Sequence, residues 1–317
     1  MAAFLIRRVI GMILVLLAVS FIVYLIFIVI PGGDPAQRIA GKVATPANIA
    51  DIRHKLGLDK PFVIQWLDML KALFTAKLVS YNNQTNVVGQ IEQGLPATFS
   101  LCFGAGVIWL GFGVLVGTTA AVKAGRISDR AITALALIGI SLPVAWLGLI
   151  LRYLFAEGGV GTWFPDGGYV PLTQDPVQWL YSMLLPWFTL AVLFIGFYGR
   201  VLRSNILDTI NEDFVRTAKA KGLSTRQILV KHVLRASLIP IVTLFGLDFA
   251  SVLGGGAIIT ETVYQLHGVG YYAAQAIANI DLPPLMGVTL YGATFIVVFS
   301  TLVDIAYAYL DPRIRLT

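Results

Sequence analysis

Six apolar runs constrain what this chain can become more tightly than any other feature. Residues 9–33, 95–122, 131–151, 177–199 and 282–303 contain no Asp, Glu, Lys or Arg, and 236–260 contains only Asp248. Each reaches the roughly 20 residues that a helix needs to cross the hydrocarbon core. A soluble globule covers its surface with about 25% charged residues. This chain has 13%, with 57% hydrophobic residues and a mean hydropathy of +0.80. That excludes a water-soluble domain, and the wealth of aliphatic and aromatic residues excludes disorder. The expectation is an all-α polytopic membrane protein with six transmembrane helices.

An even number of spans puts both termini on one side, and charge says which. Arg7 and Arg8 precede the first run, Lys123, Arg126 and Arg130 follow the second, and Arg313 and Arg315 follow the last. Residues 200–235 carry eight basic residues against Asp208, Glu212 and Asp213, whereas 157–176 and 263–281 carry no Lys or Arg. The positive-inside rule places both termini and the 200–235 segment in the cytoplasm. The net charge of +6 is therefore a matter of topology rather than of nucleic acid, which is not an expected partner. The first run is longer than the h-region of a secretory signal and lacks a small-residue cleavage site, so it reads as a retained span.

Three regions follow: the first span (1–30), an extracytoplasmic loop or small domain (31–94), and a five-span core (95–317) containing a cytoplasmic segment, 205–235. The outer region mixes charge with Pro, Gly and Asn, and short helices are expected around 47–56 and 61–76. Cys102 is the single cysteine and the three histidines are scattered. Neither metal nor other cofactor is expected.

The cytoplasmic segment reads as two helices around a tight turn. Asn211, Glu212 and Asp213 place a capping residue and acids at a helix start. Gly222 supplies a C-terminal cap, and Ser224-Thr225-Arg226-Gln227 fits a capping box that restarts the helix. Phe214, Ala218, Leu223, Ile228 and Leu229 are spaced as separate knobs. Such a pair suits docking into a groove on a cytoplasmic partner, or lying on anionic lipid as a basic amphipathic helix.

Motifs in order along the chain carry a resemblance. Asp213-Phe214-Val215-Arg216-Thr217-Ala218-Lys219-Ala220-Lys221-Gly222-Leu223 and His232-Val233-Leu234-Arg235 resemble the coupling segment of permease subunits of oligopeptide/dipeptide ABC importers. Ile30-Pro31-Gly32-Gly33-Asp34-Pro35-Ala36, Leu56-Gly57-Leu58-Asp59-Lys60-Pro61, Leu95-Pro96-Ala97-Thr98, Ser141-Leu142-Pro143, Glu261-Thr262-Val263-Tyr264 and Asp311-Pro312-Arg313-Ile314-Arg315 match further family positions. The family's Gly-Asp-Leu-Gly stretch is missing from residues 75–88, and His267 stands where a proline is usual before Gly268-Val269-Gly270.

The resemblance implies a type I ABC importer permease fold in the cell membrane of a prokaryote. It also implies a second homologous permease, two cytoplasmic ATP-binding subunits and an extracytoplasmic substrate-binding protein. Asp213, Phe214, Arg216, Ala218, Lys221, Gly222, Leu223 and Ser224 are then the ATPase-coupling candidates. The implied cargo is di- or oligopeptides, with nickel or glutathione as related alternatives. The chain holds no Gly-x-x-x-x-Gly-Lys-Ser/Thr phosphate cradle, so nucleotide hydrolysis is assigned to a separate subunit, and no catalytic constellation is expected. An ion-coupled secondary transporter would normally carry more spans and more intramembrane carboxylates.

Asp248 and Glu261 are the candidates for the translocation path or its gate: the first because a carboxyl within a span is costly, the second because it ends the fifth run. Arg152 and Asp304 lie near span ends, where snorkelling or an interfacial contact accounts for them. Gly254-Gly255-Gly256 reads as a close helix contact. Pro143, Pro186, Pro240 and Pro283-Pro284 are candidate kinks.

Overall fold

The computed structural model describes residues 2–26, 35–40, 45–55 and 57–310. Residues 30–34 of the first motif, Leu56, the side chains of Arg8 and Asp304, and the Asp311–Arg315 motif lie outside them. Among the described residues the chain is helical, with two isolated bridge contacts, Val79 with Asn86 and Ala156 with Phe164.

Helix α1 (Ala2–Tyr24) is followed by three short helices, α2 (Pro35–Ala40), α3 (Pro46–Lys55) and α4 (Phe62–Phe74). The last two fall where short helices are expected in the outer region. Two long helices, α5 (Val87–Val122) and α8 (Pro176–Thr209), form the most extensive helix pair. Between them lie α6 (Ile127–Ser141) and α7 (Val144–Phe155). Beyond α8 come α9 (Asp213–Ala220), α10 (Thr225–Ile228), α11 (Leu234–Ser251), α12 (Ile258–Val263), α13 (Val269–Ala278) and α14 (Leu282–Leu310).

Four helices are long and apolar enough to cross a membrane: α5, α8, the continuous Thr225–Gly256 helix containing α10 and α11, and Leu282–Val303 of α14. The pair α6–α7 is a fifth where the two helices, bent by 100°, count as one span. The first run appears as α1, whose apolar part is Val9–Tyr24. The described residues thus hold four or five complete spans where the sequence leads to six, because the third run is bent into two helices and part of the first run lies outside the described residues.

Three boundaries differ from expectation, each for a local reason. The third run is not one helix but two, bent by 100° at Leu142-Pro143. Proline disfavours the α conformation at the residue before it, and Leu142 takes ψ 126°. Pro186 and Pro240, by contrast, sit inside continuous helices. The second span begins at Val87 rather than 95, because the Asn86 side chain caps it by accepting from the Gly89 N–H at 2.8 Å. The fifth run breaks at Gly255, whose φ of 147° is open to glycine. α12 and α13 then fold back against α5 as a loop unit.

Lipid is as apolar as a leucine side chain, so helices in a bilayer associate by close packing rather than by hydrophobic burial. Small residues permit that approach here. A Cβ on Gly292 of α14 would lie 2.0 Å from the Gly254 carbonyl oxygen, which bears out the close contact expected of the glycine run. Trp109, Tyr198, Leu101, Met183 and Leu202 fill the main core between α5 and α8. Two smaller clusters hold α4 and the start of α5. Val87 and Ile91 meet Val269 and Ala273, while Val23, Tyr24 and Met69 meet Met286 and Leu290.

Candidate coupling and path sites

The helix pair at the basic end of the bundle is built from two successive caps. α9 closes as a Schellman turn: Gly222 N–H donates to the Lys219 carbonyl at 3.0 Å and Leu223 N–H to Ala218 at 3.4 Å. Gly222 sits at φ 75°, the left-handed position such a turn demands. The next helix starts immediately. Ser224 and Gln227 form the expected reciprocal capping box, with Ser224 N–H donating to Gln227 Oε1 at 3.2 Å. The start of α9 differs from expectation: Glu212 occupies the cap without a side-chain bond, and Asn211 Nδ2 donates instead to the Leu207 carbonyl at 3.1 Å.

The knobs divide into two sets. Val215, Ala218 and Ile228 are buried in the cluster that contains Leu202 and Ile206 of α8. Ala218 therefore seats the hairpin rather than presenting a surface. Phe214 (45% exposed) and Leu223 (37%) point away from that core, with Asp213, Arg216, Lys221 and Ser224 exposed around them. Arg216 pairs only loosely with Asp213, at 3.3 Å with both side chains largely solvated. Such an exposed pair contributes little to stability. Past α10, a π-helical turn, Leu229–Val233, leads without a break into α11.

Helix α8 connects this hairpin to the interior. Ser237 Oγ of α11 donates to Thr209 Oγ1 at 3.1 Å, and Arg203 grips Asp129 of α6 through two bonds of 2.7 and 2.8 Å. Asp129 also accepts from the Gly125 N–H at 3.0 Å. The charge count assigned Arg203 only to topology, and its pairing with Asp129 had no signal in spacing.

Further along α8, Tyr198 O–H donates to Asp248 Oδ2 at 2.7 Å. Tyr198 is buried and Asp248 half-buried, at the level of Trp109, which packs on Phe245 and Phe249 of the Asp248 helix. A carboxylate at a span centre costs about 2.5–3.5 kcal/mol. A hydrogen bond between membrane helices returns about 0.6 and at most about 1.7 kcal/mol. One Tyr198 bond does not by itself offset that cost.

Glu261 behaves differently. It lies past the end of the fifth span and is 0% exposed, so it lines no open path in this conformation. Thr98 Oγ1 of α5 donates to Glu261 Oε1 at 2.7 Å while accepting from the Val269 N–H at 2.9 Å, and Tyr271 N–H donates to Oε2 at 2.9 Å. Burial pushes the carboxyl up to about 7, although its bonds from the Tyr271 and Gly270 amides and from Thr98 pull the other way. A Cβ on Gly268 would fall 2.3 Å from Glu261 Oε2. The Leu95–Thr98, Glu261–Tyr264 and Gly268–Gly270 motifs, separate in sequence, thus meet in one knot.

Of the two readings of Arg152, the structure shows the contact rather than snorkelling. It forms a bidentate pair with Asp166, both bonds 2.8 Å, and donates to the Val263 carbonyl at 2.7 Å. The guanidinium holds the Asp166 carboxyl below the usual carboxylate range. Tyr264 completes the joint by meeting Thr189 Oγ1 of α8 at 2.8 Å. The loop after α7 is thereby tied to α12.

The membrane-length helices, the doubly capped hairpin and the joints around α12 belong to a chain whose fold class is that of a type I ABC importer permease. The chain belongs to the family of binding-protein-dependent transport system inner membrane components, whose profile matches residues 113–316, with the family's N-terminal profile matching residues 1–102. It is a multi-pass inner-membrane protein. It is 38% identical over 316 residues to a Brucella abortus chain named as a peptide transport system permease protein, covering 99% of both. A dipeptide transport system permease protein of Alkalihalophilus pseudofirmus is 31% identical, over 99% of this chain and 100% of that one. A di/tripeptide permease protein of Pseudomonas aeruginosa is 33% identical, over 99% of both. In fold, the chain resembles the MetNI methionine ABC transporter at a TM-score of 0.50 and 18% identity, covering 70% of this chain and 95% of that one.

Proposed function

We propose that this permease carries di- or oligopeptides, forming half of a translocation path beside a second homologous permease. Two ATP-binding subunits dock on the 211–231 hairpin in the cytoplasm, and a substrate-binding protein delivers cargo at the opposite face. The names of the relatives, which span nearly the whole chain, favour peptide over nickel or glutathione.

One observation carries the coupling role. Phe214 and Leu223 stand exposed on a hairpin whose other side, Val215, Ala218 and Ile228, is locked into the α8 core. An ATPase groove that takes the two outward side chains would move α8 and α11 together. The path would then alternate between its two openings, with Asp248 within it and the Glu261 knot bracing its outer end.

Affinity purification of the tagged chain from its native membrane tests this reading. Recovery of ATP-binding subunits, lost with Phe214→Asp or Leu223→Asp while the chain still inserts, is the expected result. Undiminished recovery with both variants would overturn the docking role.

A further inference from the structure

We infer that Asp248 and Ser251 form a subsite for a protonated amine, with Tyr198 as the positioning residue. The inference rests on the peptide-permease reading and deepens it: in a peptide, the group is the N-terminal ammonium or a lysine side chain.

Among the described residues Asp248 has one hydrogen-bond partner, Tyr198, and no ion pair. The bond is to Oδ2, and Oδ1 has no hydrogen-bond partner among the described residues. The Tyr198 ring is buried and packed edge-on against Phe194 and Phe197, which holds its hydroxyl toward Asp248. Ser251 follows three residues later on the same helix face. It is exposed, and its hydroxyl has no partner among the described residues. Leu247 beside it is also exposed, so the face carrying both oxygens is open rather than packed against this chain.

No other charged residue occurs between 236 and 260. No Lys or Arg occurs in 95–122, 177–199 or 282–303 either, so no cation within these spans offsets the negative field of the carboxylate. It attracts cations and repels carboxylates. Two oxygens suit the N–H donors of an ammonium and fall short of the six or more that a calcium-type cation takes. No cluster of three His, Cys, Asp or Glu side chains suited to a metal occurs among the described residues.

The test uses the full chain in membranes with its partner subunits, in a Cys102→Ala background whose peptide uptake has been checked. Ser251→Cys is labelled with a trimethylammonium and with a sulfonate methanethiosulfonate reagent, each rate normalised to that of a free thiol. The cationic reagent should react at least about tenfold faster, and Asp248→Asn should abolish that preference. Tyr198→Phe should narrow it while labelling persists, which loss of packing alone would not do. Equal rates with Asp248 in place, or no labelling by either reagent, would overturn the subsite. Trialanine uptake provides the separate control: its absence in the unmodified transporter defeats the peptide reading but leaves the reagent ratio interpretable.

Discussion

Thr98 and Glu261, 163 residues apart, share a hydrogen bond of 2.7 Å with neither side chain open to solvent. Thr98 also receives the Val269 N–H, so one hydroxyl ties the loop after the fifth span to α5. Thr98→Val keeps the shape but strands the amide and removes a donor from the carboxylate. A buried group left unsatisfied costs about 1–3 kcal/mol. The variant should unfold at lower temperature in detergent than the wild type, and an unchanged melting curve would count against the knot.

The same carboxyl makes stability depend on pH. Its folded value of about 7 stands above the ordinary 4.5, so the folded state favours the protonated form. The contribution is fully present below the unfolded value and fades as pH rises through about 7. Thermal unfolding followed from about pH 5 to 8 should show a falling midpoint, flattened in Glu261→Gln.

Gly268 admits no side chain where it stands, because an added Cβ would meet both Glu261 and Thr98. Gly268→Ala should cost about 1–3 kcal/mol through overpacking. Protease susceptibility of the loop around α12 and α13 would report the loosening directly.

Arg203 and Asp129 form a two-bond clamp at the basic end, and the Asp129 side chain is only 6% exposed. Arg203→Gln leaves that carboxylate without its cation and should destabilise the protein. Arg203→Gln combined with Asp129→Asn should restore part of the loss, since the stranded charge has gone. Melting midpoints of the two singles and the double complete the cycle, and strict additivity would deny the clamp.

At the hairpin, Gly222→Ala places a side chain at φ 75° and should cost roughly 1–2 kcal/mol. Gly222→Pro, whose ring fixes φ near −65°, cannot make the turn at all. Truncating Leu223 or Phe214 to alanine should weaken ATPase binding by about 2 kcal/mol each, roughly 30-fold. Peptide uptake should fall with insertion intact, and ATP hydrolysis should no longer track transport.

Where the governing physics is local, the chain's architecture was legible in its residues. Uncharged runs of membrane length, the Ser224–Gln227 capping box and Gly222 at a helix end each act within a few residues, and the structure holds the box, the glycine and four of the runs as membrane-length helices. Asp248 was also conspicuous, because a lone carboxyl in an apolar run needs nothing distant to stand out. Its Tyr198 partner was not, nor were the partners of Arg152 and Asp129. Arg152 stands at a span end, where a cation needs no distant partner, and only the fold brings Asp166 and the Val263 carbonyl to it.

Sequence by itself determined that this chain enters a membrane, roughly where its helices run, and where its capped turn falls, since hydropathy and capping are properties of neighbouring residues. Tertiary structure decided which helix faces meet, and so made Ala218 an inward anchor, Glu261 a buried strut and Asp248 an open carboxylate. Those outcomes depend on the axial register and rotation of packed helices, which close packing among small residues sets and hydropathy does not encode.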